Sequence, residues 1–145
     1  MAKIPDPNII YGIPLDDGSF TLIQTIENIK LLNGYAVAIF KNKYSESDLP
    51  NIKLNIADVL MILVTTRDLM TKSVWLKMPV EPICISSLQG SYEKFRNNGW
   101  IGLQIYGSGI IVKMMNAYNG LRDWKMMKDP KEFDKIMSEN SIHKR

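Results

Sequence analysis

The amino-acid sequence predicts an α+β fold: a mainly antiparallel β-sheet in the N-terminal two thirds of the chain, with C-terminal helices packed on it. Alternating apolar residues predict a first strand at residues 9–15, and the Asp17-Gly18 pair suits the tight turn of a β-hairpin. Apolar residues at helical spacing predict amphipathic helices near residues 109–119 and 129–138. Isolated helices this short are marginal in water, so we expect their apolar faces to pack on the sheet.

The first hairpin carries two local signals. Pro14 has no N–H to donate to a neighbouring strand, so we expect the first strand to lie at a sheet edge. Asp17 and Gly18 predict a type I′ turn, in which both central residues adopt positive φ angles. The second strand of the hairpin is then expected over residues 19–29.

Further strands are predicted where residues that suit a pleated surface follow one another. The polar segment 41–52 separates these strands and is expected to be an exposed loop. The predicted strands cover residues 34–40, 59–66, 72–78, 83–86 and 101–106.

Capping residues mark the expected helix boundaries. Ser108 suits the N-cap of the helix that ends before Gly120, because its hydroxyl can accept a bond from an unpaired backbone N–H. Asp129 and Pro130 suit the N-cap and the first position of the last helix. A shorter amphipathic helix is predicted over residues 88–98.

The length of 145 residues predicts one domain, 1–145, with an ordered core over roughly residues 9–137. Its longest apolar run, 59–64, is far shorter than the ~20 residues that span a bilayer, and the N-terminus has no apolar core of a secretory signal. We therefore expect a cytoplasmic protein with no membrane partner. Cys84 is the only cysteine and lies between two isoleucines, so we expect it to be buried.

Few residues could perform acid-base or metal chemistry. The only histidine, His143, is close to the C-terminus, so no serine-histidine, cysteine-histidine or histidine-histidine pair is expected on a rigid frame. Asp16 and Asp17 are expected to point apart as neighbours at a strand end. The run 107–109, Gly-Ser-Gly, lacks the third glycine of a dinucleotide-binding loop. We expect no enzyme activity, no metal and no cofactor.

The net charge of +3 is too small to indicate a nucleic-acid partner by itself. The basic residues near the C-terminus alternate with acids and predict a mixed, solvated face. One alternative remains open, a nucleic-acid-binding β-sheet module. In that case Tyr35, Phe40 and Tyr44 would stack on bases, and nearby lysines would contact phosphates.

Two segments follow the pattern of one protein family. Residues 10–20 contain Ile-Pro-Leu, an acidic turn, a glycine and an aromatic residue, and residues 116–124 contain Tyr-x-Gly-Leu-x-x-Trp before an Asp-Pro helix start. Between them the order of segments agrees, including a tryptophan strand at Trp75. Over roughly residues 9–137 the chain resembles the Immunity protein 26 family of bacterial polymorphic-toxin and contact-dependent inhibition systems.

The resemblance implies a protein that binds one cognate toxin domain and blocks its active site or substrate surface. It further implies a monomer alone and a 1:1 complex with the toxin, and it carries over no contact residues. Many toxin domains attack nucleic acid through basic clefts, which carboxylates and aromatic rings can cover. The candidate toxin-binding residues are therefore the acids of the turn and the polar loop with their neighbouring tyrosine; the alternative is that these acids are ordinary turn and surface charges. The candidates are Asp16, Asp17, Tyr44, Glu46 and Asp48.

Overall fold

A computed structural model describes residues 8–72, 74–84, 91–122, 135–136 and 139–140. These residues form a single α+β domain around a six-stranded, mostly antiparallel sheet, as predicted. The strands lie in the order β5-β1-β2-β3-β4-β6, and only the β4–β6 pair is parallel. Their bounds are β1 Ile10–Pro14, β2 Phe20–Ile29, β3 Gly34–Tyr44, β4 Val59–Thr66, β5 Leu76–Lys77 and β6 Ile105–Tyr106.

The first hairpin forms as predicted, but its turn type differs. The N–H of Gly18 donates to the carbonyl of Leu15 at 3.2 Å, and Gly18 has φ 85° whereas Asp17 does not have a positive φ. This is the pattern of a type I turn followed by a left-handed glycine, so the type I′ prediction was wrong. Asp17 keeps an ordinary backbone because its carboxylate accepts the N–H of Ser19 at 3.0 Å, a local bond that fixes the turn.

The expected edge position of β1 was also wrong. β5 pairs with β1 at Tyr11 and Gly12, so β1 is an interior strand over that stretch. Pro14 lies beyond β5 and pairs only with Phe20 of β2. The missing N–H of Pro14 is therefore accommodated at the strand end, not at the sheet edge.

Two predicted strands are much shorter than expected. Among the described residues of the segment 72–78, which exclude residue 73, only Leu76–Lys77 is a strand, because helix α1 (Asp68–Thr71) precedes it and the carbonyl of Leu69 accepts the N–H of Trp75 at 2.9 Å. In the segment 101–106, only Ile105–Tyr106 is a strand, because the chain turns at Gly102 with φ 87°. Residues 83–84 are not a strand, and 85–86 lie outside the described residues.

The polar segment 41–52 is less irregular than predicted. β3 continues to Tyr44, and a 3₁₀ helix, Glu46–Asn51, follows it. The exposure of this segment was predicted correctly, since its residues are exposed or half-buried. Further 3₁₀ helices span Lys30–Leu32, Ile56–Asp58 and Ser91–Asn98, and the last of these lies where an amphipathic helix was predicted over 88–98, of which residues 88–90 lie outside the described residues.

The sheet is buried on both faces. Helix α2 (Ser108–Tyr118) covers one face, as predicted, and its N-cap is Gly107 in place of Ser108. The buried residues of that face include Ile23, Val37, Met61, Leu63, Ile111 and Met114. The second face packs against the 3₁₀ helix Ser91–Asn98 and the segments around residues 49–54 and 78–83. Burial on both faces explains why β3 over residues 35–40 and β4 over residues 59–64 are continuously apolar.

Two C-terminal features bear on the predictions. Gly120 follows α2 with φ 75°, as expected for a residue just past a helix end. The helix predicted over 129–138 lies largely outside the described residues; residues 135–136 are helical, and Ile136 is buried in the same cluster as α2. Within the described part of the chain, no helix is long and apolar enough to cross a membrane.

Cys84 is exposed, so its predicted burial was wrong. The segment that carries Cys84 lies on the sheet through Gln24, whose side-chain amide donates to the carbonyl of Ile83 at 2.9 Å and accepts its N–H at 3.0 Å. These two bonds hold the backbone of residue 83 against β2. The side chain of the next residue, Cys84, is exposed to solvent.

Candidate binding site

Three of the five candidate residues meet at one end of the sheet, where the first hairpin turns and β3 ends. Asp17 lies in the turn, Tyr44 is the last residue of β3, and Glu46 opens the 3₁₀ helix that follows. Tyr44 pairs with Phe20 across β2 and β3, and the two ring centroids are 6.3 Å apart. We call Asp17, Lys43, Tyr44 and Glu46 the hairpin-end surface.

Asp17 has partners within this surface. Its Oδ2 lies 2.7 Å from the Nζ of Lys43, and its Oδ1 accepts bonds from the backbone and the hydroxyl of Ser19. The hydrogen bonds from Lys43 and Ser19 hold the pKa of Asp17 below its usual range. Asp17 is therefore ionised and paired with Lys43 in an exposed ion pair, which is screened by solvent.

The carboxylate of Asp16 contacts Arg122, which follows α2 in the chain, and does not contact the hairpin-end surface. Its carboxylate binds Arg122 in a fork, with Nε 2.6 Å from Oδ2 and a terminal nitrogen 2.9 Å from Oδ1. This hydrogen bonding holds the pKa of Asp16 below its ordinary value. The structure does not place Asp16 with Tyr44 and Glu46, because Asp16 ties the hairpin to the residues after α2.

Asp48 serves the 3₁₀ helix that contains it. Its Oδ2 accepts the backbone N–H of Ser45 at 2.8 Å and the hydroxyl of Ser45 at 3.1 Å. These bonds form a capping box, which satisfies donors at the start of the helix. Asp48 therefore has a structural role that its position in a polar loop did not reveal.

Glu46 differs from the other three acids. It makes no hydrogen bond or ion pair with the described residues, and it lines an open pocket of about 400 Å³ beside the hairpin-end surface. Ser19 and Gly18 of the turn line the same pocket. Its apolar wall contains Pro14, Phe20, Leu49, Val74, Leu76 and Met78.

The pocket residues near β5 were not predicted from the sequence. Val74 and Leu76 are 47% and 55% exposed, and they flank Trp75, which is 1% exposed. The strand predicted over 72–78 contains these three residues, but three consecutive apolar residues did not indicate that Val74 and Leu76 would be exposed and Trp75 buried.

A polar cluster joins β4, α1 and α2 elsewhere in the domain. Asp68 Oδ1 accepts hydrogen bonds from the hydroxyls of Thr66 at 2.6 Å and Ser108 at 2.7 Å. The bond from Thr66 is the main reason that the pKa of Asp68 lies below its usual value. Ser108 is 1% exposed, and its backbone N–H donates to the hydroxyl of Thr66 at 3.0 Å, so the cluster joins the start of α2 to the end of β4.

A second cluster holds the 3₁₀ helix Ser91–Asn98 on the sheet. Arg96 binds the carboxylates of Glu27 and Glu93, and its guanidinium lies 4.9 Å from the ring centre of Trp100. Tyr92 stacks on Trp100 at 6.5 Å and donates its hydroxyl to Glu27. Burial, followed by the charge of Glu27, raises the pKa of Tyr92. The charged and polar side chains of this cluster bind one another, which indicates a structural role.

The aromatic residues of the nucleic-acid alternative do not form a surface platform. Tyr35 and Phe40 are each 0% exposed and belong to opposite faces of the sheet. Tyr44 is half-buried. Base stacking needs exposed ring faces, so Tyr35 and Phe40 cannot take the role proposed for them in that alternative.

Comparison of the chain with protein-family models, curated proteins and solved structures found no match. The described residues contain no group of three or more histidine, cysteine, aspartate or glutamate side chains placed to hold a metal ion.

Proposed function

We propose that this chain is a cytoplasmic immunity protein that binds one cognate toxin domain and neutralises it. The observation that carries the proposal is the open apolar pocket next to the carboxylate of Glu46. Well-packed apolar pockets are typical of the centres of protein interfaces, and charged groups lie more often at their rims. The resemblance of residues 10–20 and 116–124 to immunity proteins supplies the class of partner.

The exposed apolar residues favour binding over a purely structural role. Val74 and Leu76 lie next to each other on the pocket wall, although each is about half exposed. Clustered exposed apolar side chains mark interaction sites more often than single ones do. The half-buried ring of Tyr44 adds a residue type that is common among interface hot spots.

The proposed role needs no catalytic residue, because a bound toxin is inhibited by occlusion of its active site or substrate surface. We propose a monomer alone and a 1:1 complex. The acid at Glu46 would face a basic cleft, and Asp17 would contribute through its exposed pair with Lys43.

Co-expression tests this function. The toxin domain encoded by the gene immediately upstream is expressed in a susceptible bacterium, with this chain or with an empty vector. We expect this chain to restore growth. Absence of a toxin-bearing gene there, or growth arrest despite soluble expression of this chain, would contradict the proposal.

The nucleic-acid alternative is tested separately. We expect no specific binding of single- or double-stranded oligonucleotides at physiological salt, because the predicted stacking residues are buried. Fluorescence anisotropy with labelled oligonucleotides measures this. Micromolar or tighter binding would favour the alternative.

A further inference from the structure

We propose that the pocket receives one large apolar side chain of the toxin domain, and that Glu46 binds an arginine or lysine adjacent to that side chain. This inference rests on the proposed function and specifies how the partner is recognised. It assigns the central contact to the pocket between the 3₁₀ helix Glu46–Asn51 and β5, and it gives the four acids unequal roles.

The size of the pocket fits one anchoring residue. Its volume of about 400 Å³ is at the lower end of the range of roughly 300–1,000 Å³ that is typical of ligand pockets. Phe20, Leu49, Val74 and Leu76 are among the apolar residues that line it. An aromatic or branched aliphatic side chain that enters the pocket would be shielded from water by such residues, as at an interface hot spot.

The shape of the pocket can change at Met78. A Cβ atom placed on Gly12 would lie 2.2 Å from the terminal methyl of Met78, so Met78 lies across β1 where a glycine leaves room. Methionine side chains are flexible and polarisable, and they adjust to the shape of a bound group. Met78 can therefore move to fit the inserted side chain without a change in the sheet.

The charge at the pocket selects the flanking residue. Asp16, Asp17 and Asp48 each have a partner in the protein, whereas Glu46 makes no hydrogen bond or ion pair with the described residues. The helix that carries Glu46 contains acids in its first turn and no base in its last turn. Lys77 lines the pocket on the β5 side. An arginine or lysine next to the inserted apolar side chain would therefore complement the negative charge of Glu46 on the side of the pocket formed by the helix Glu46–Asn51.

Two pairs of variants test the proposal, with the toxin domain from the upstream gene, carrying an inactivating active-site substitution, as the probe. Leu76→Ser opens the pocket wall, and Leu31→Ser is its control, because Leu31 is 85% exposed at the opposite end of β2. Glu46→Lys reverses the pocket charge. Glu139→Lys is its control, since Glu139 lies near β6 at the other sheet edge. Circular dichroism verifies that each variant is folded.

We expect Leu76→Ser to weaken binding roughly tenfold or more, since losses at interface hot spots are of this order. Glu46→Lys should slow association and reduce its dependence on salt. Both controls should bind within about twofold of the unmodified protein. In spectra of protein labelled at methionine methyl groups, the Met78 signal should shift on binding, and the buried Met61 signal should not.

The outcomes separate this inference from the proposed function. Tight binding by the unmodified protein and by all four variants, with no shift of the Met78 methyl, would retain the immunity function and overturn the pocket assignment. Absence of binding by the unmodified protein would overturn both.

Discussion

The side chain of Asn116 in α2 accepts a hydrogen bond on its Oδ1 from the backbone N–H of Asp16 at 2.8 Å. The same side chain donates to the carbonyl of Val112 at 2.9 Å, and Asn116 is 0% exposed. Together with the Arg122–Asp16 ion pair, this bond fixes the first hairpin turn to α2 across about one hundred residues of sequence. The first hairpin turn is therefore in direct contact with α2 and with the residue Arg122 beyond its end.

Asn116→Ala should lower the free energy of unfolding by about 1–3 kcal/mol, because it leaves the Asp16 N–H without its partner. Asn119→Ala is the matched control. Asn119 makes the same kind of bond, to the carbonyl of Met115 at 2.8 Å, but does not contact the hairpin. Urea denaturation of both variants measures the difference. Equal losses would show that the bond to the hairpin contributes nothing.

The Asp68 cluster predicts a pH dependence of stability. The pKa of Asp68 is lower in the folded protein than its unfolded value of about 3.9, because Thr66 and Ser108 donate hydrogen bonds to the carboxylate. Its contribution to stability is therefore present above about pH 4 and is lost as the pH falls through the folded pKa. Thr66→Val removes the largest cause of the shift.

NMR titration of the Asp68 carboxyl measures this effect. We expect its pKa to rise in Thr66→Val, and we expect the stability of Asp68→Asn to decline less than that of the unmodified protein below about pH 4. Parallel pH profiles for the unmodified protein and Asp68→Asn would be inconsistent with a lowered pKa in the folded state.

Removal of the Arg96 guanidinium should destabilise the domain modestly. Arg96 is 41% exposed, so its ion pairs are screened and we expect Arg96→Ala to cost about 1 kcal/mol, including the contact with Trp100. Arg96→Lys keeps the charge but loses the planar fork, so it should recover only part of this loss. Thermal denaturation compares the three proteins. A lysine variant as stable as the unmodified protein would indicate that charge alone matters.

The exposure of Cys84 predicts that its thiol reacts in the folded protein. Ellman's reagent should label one thiol per chain without denaturant, because Cys84 is the only cysteine. The rate after addition of denaturant is the reference for full access. Labelling that begins only when the protein unfolds would place Cys84 in the interior and would contradict the described position.

The hairpins and the face covered by α2 could be predicted from the sequence because they depend on local patterns. Gly18 and Gly120 have the positive φ angles that their positions require, and the apolar stripe of α2 packs on the sheet. The pairing of β5 with β1 could not be predicted, since two residues supply it from about sixty positions away. A two-residue strand has no periodicity that a sequence pattern could detect.

Part of the candidate site could be predicted from the sequence, and part of it could not. Asp17, Tyr44 and Glu46 come together because β2 pairs with β3 as far as Phe20 and Tyr44, which is beyond the end of the strand predicted over 34–40. The partners of Asp16 and Asp48 could not be predicted, because Arg122 is distant in sequence and the capping role of Asp48 needs a helix where a loop was expected. The exposure of Val74 and Leu76 depends on what the second layer leaves uncovered.

We propose that this protein forms a 1:1 complex with a toxin domain. Isothermal titration of the inactivated toxin domain from the upstream gene into this protein measures the affinity and the stoichiometry of that complex. We expect one site per chain, with a dissociation constant in the nanomolar range or below, about 12 kcal/mol of binding free energy at 1 nM. Absence of binding at micromolar concentrations of both folded proteins would contradict the claim.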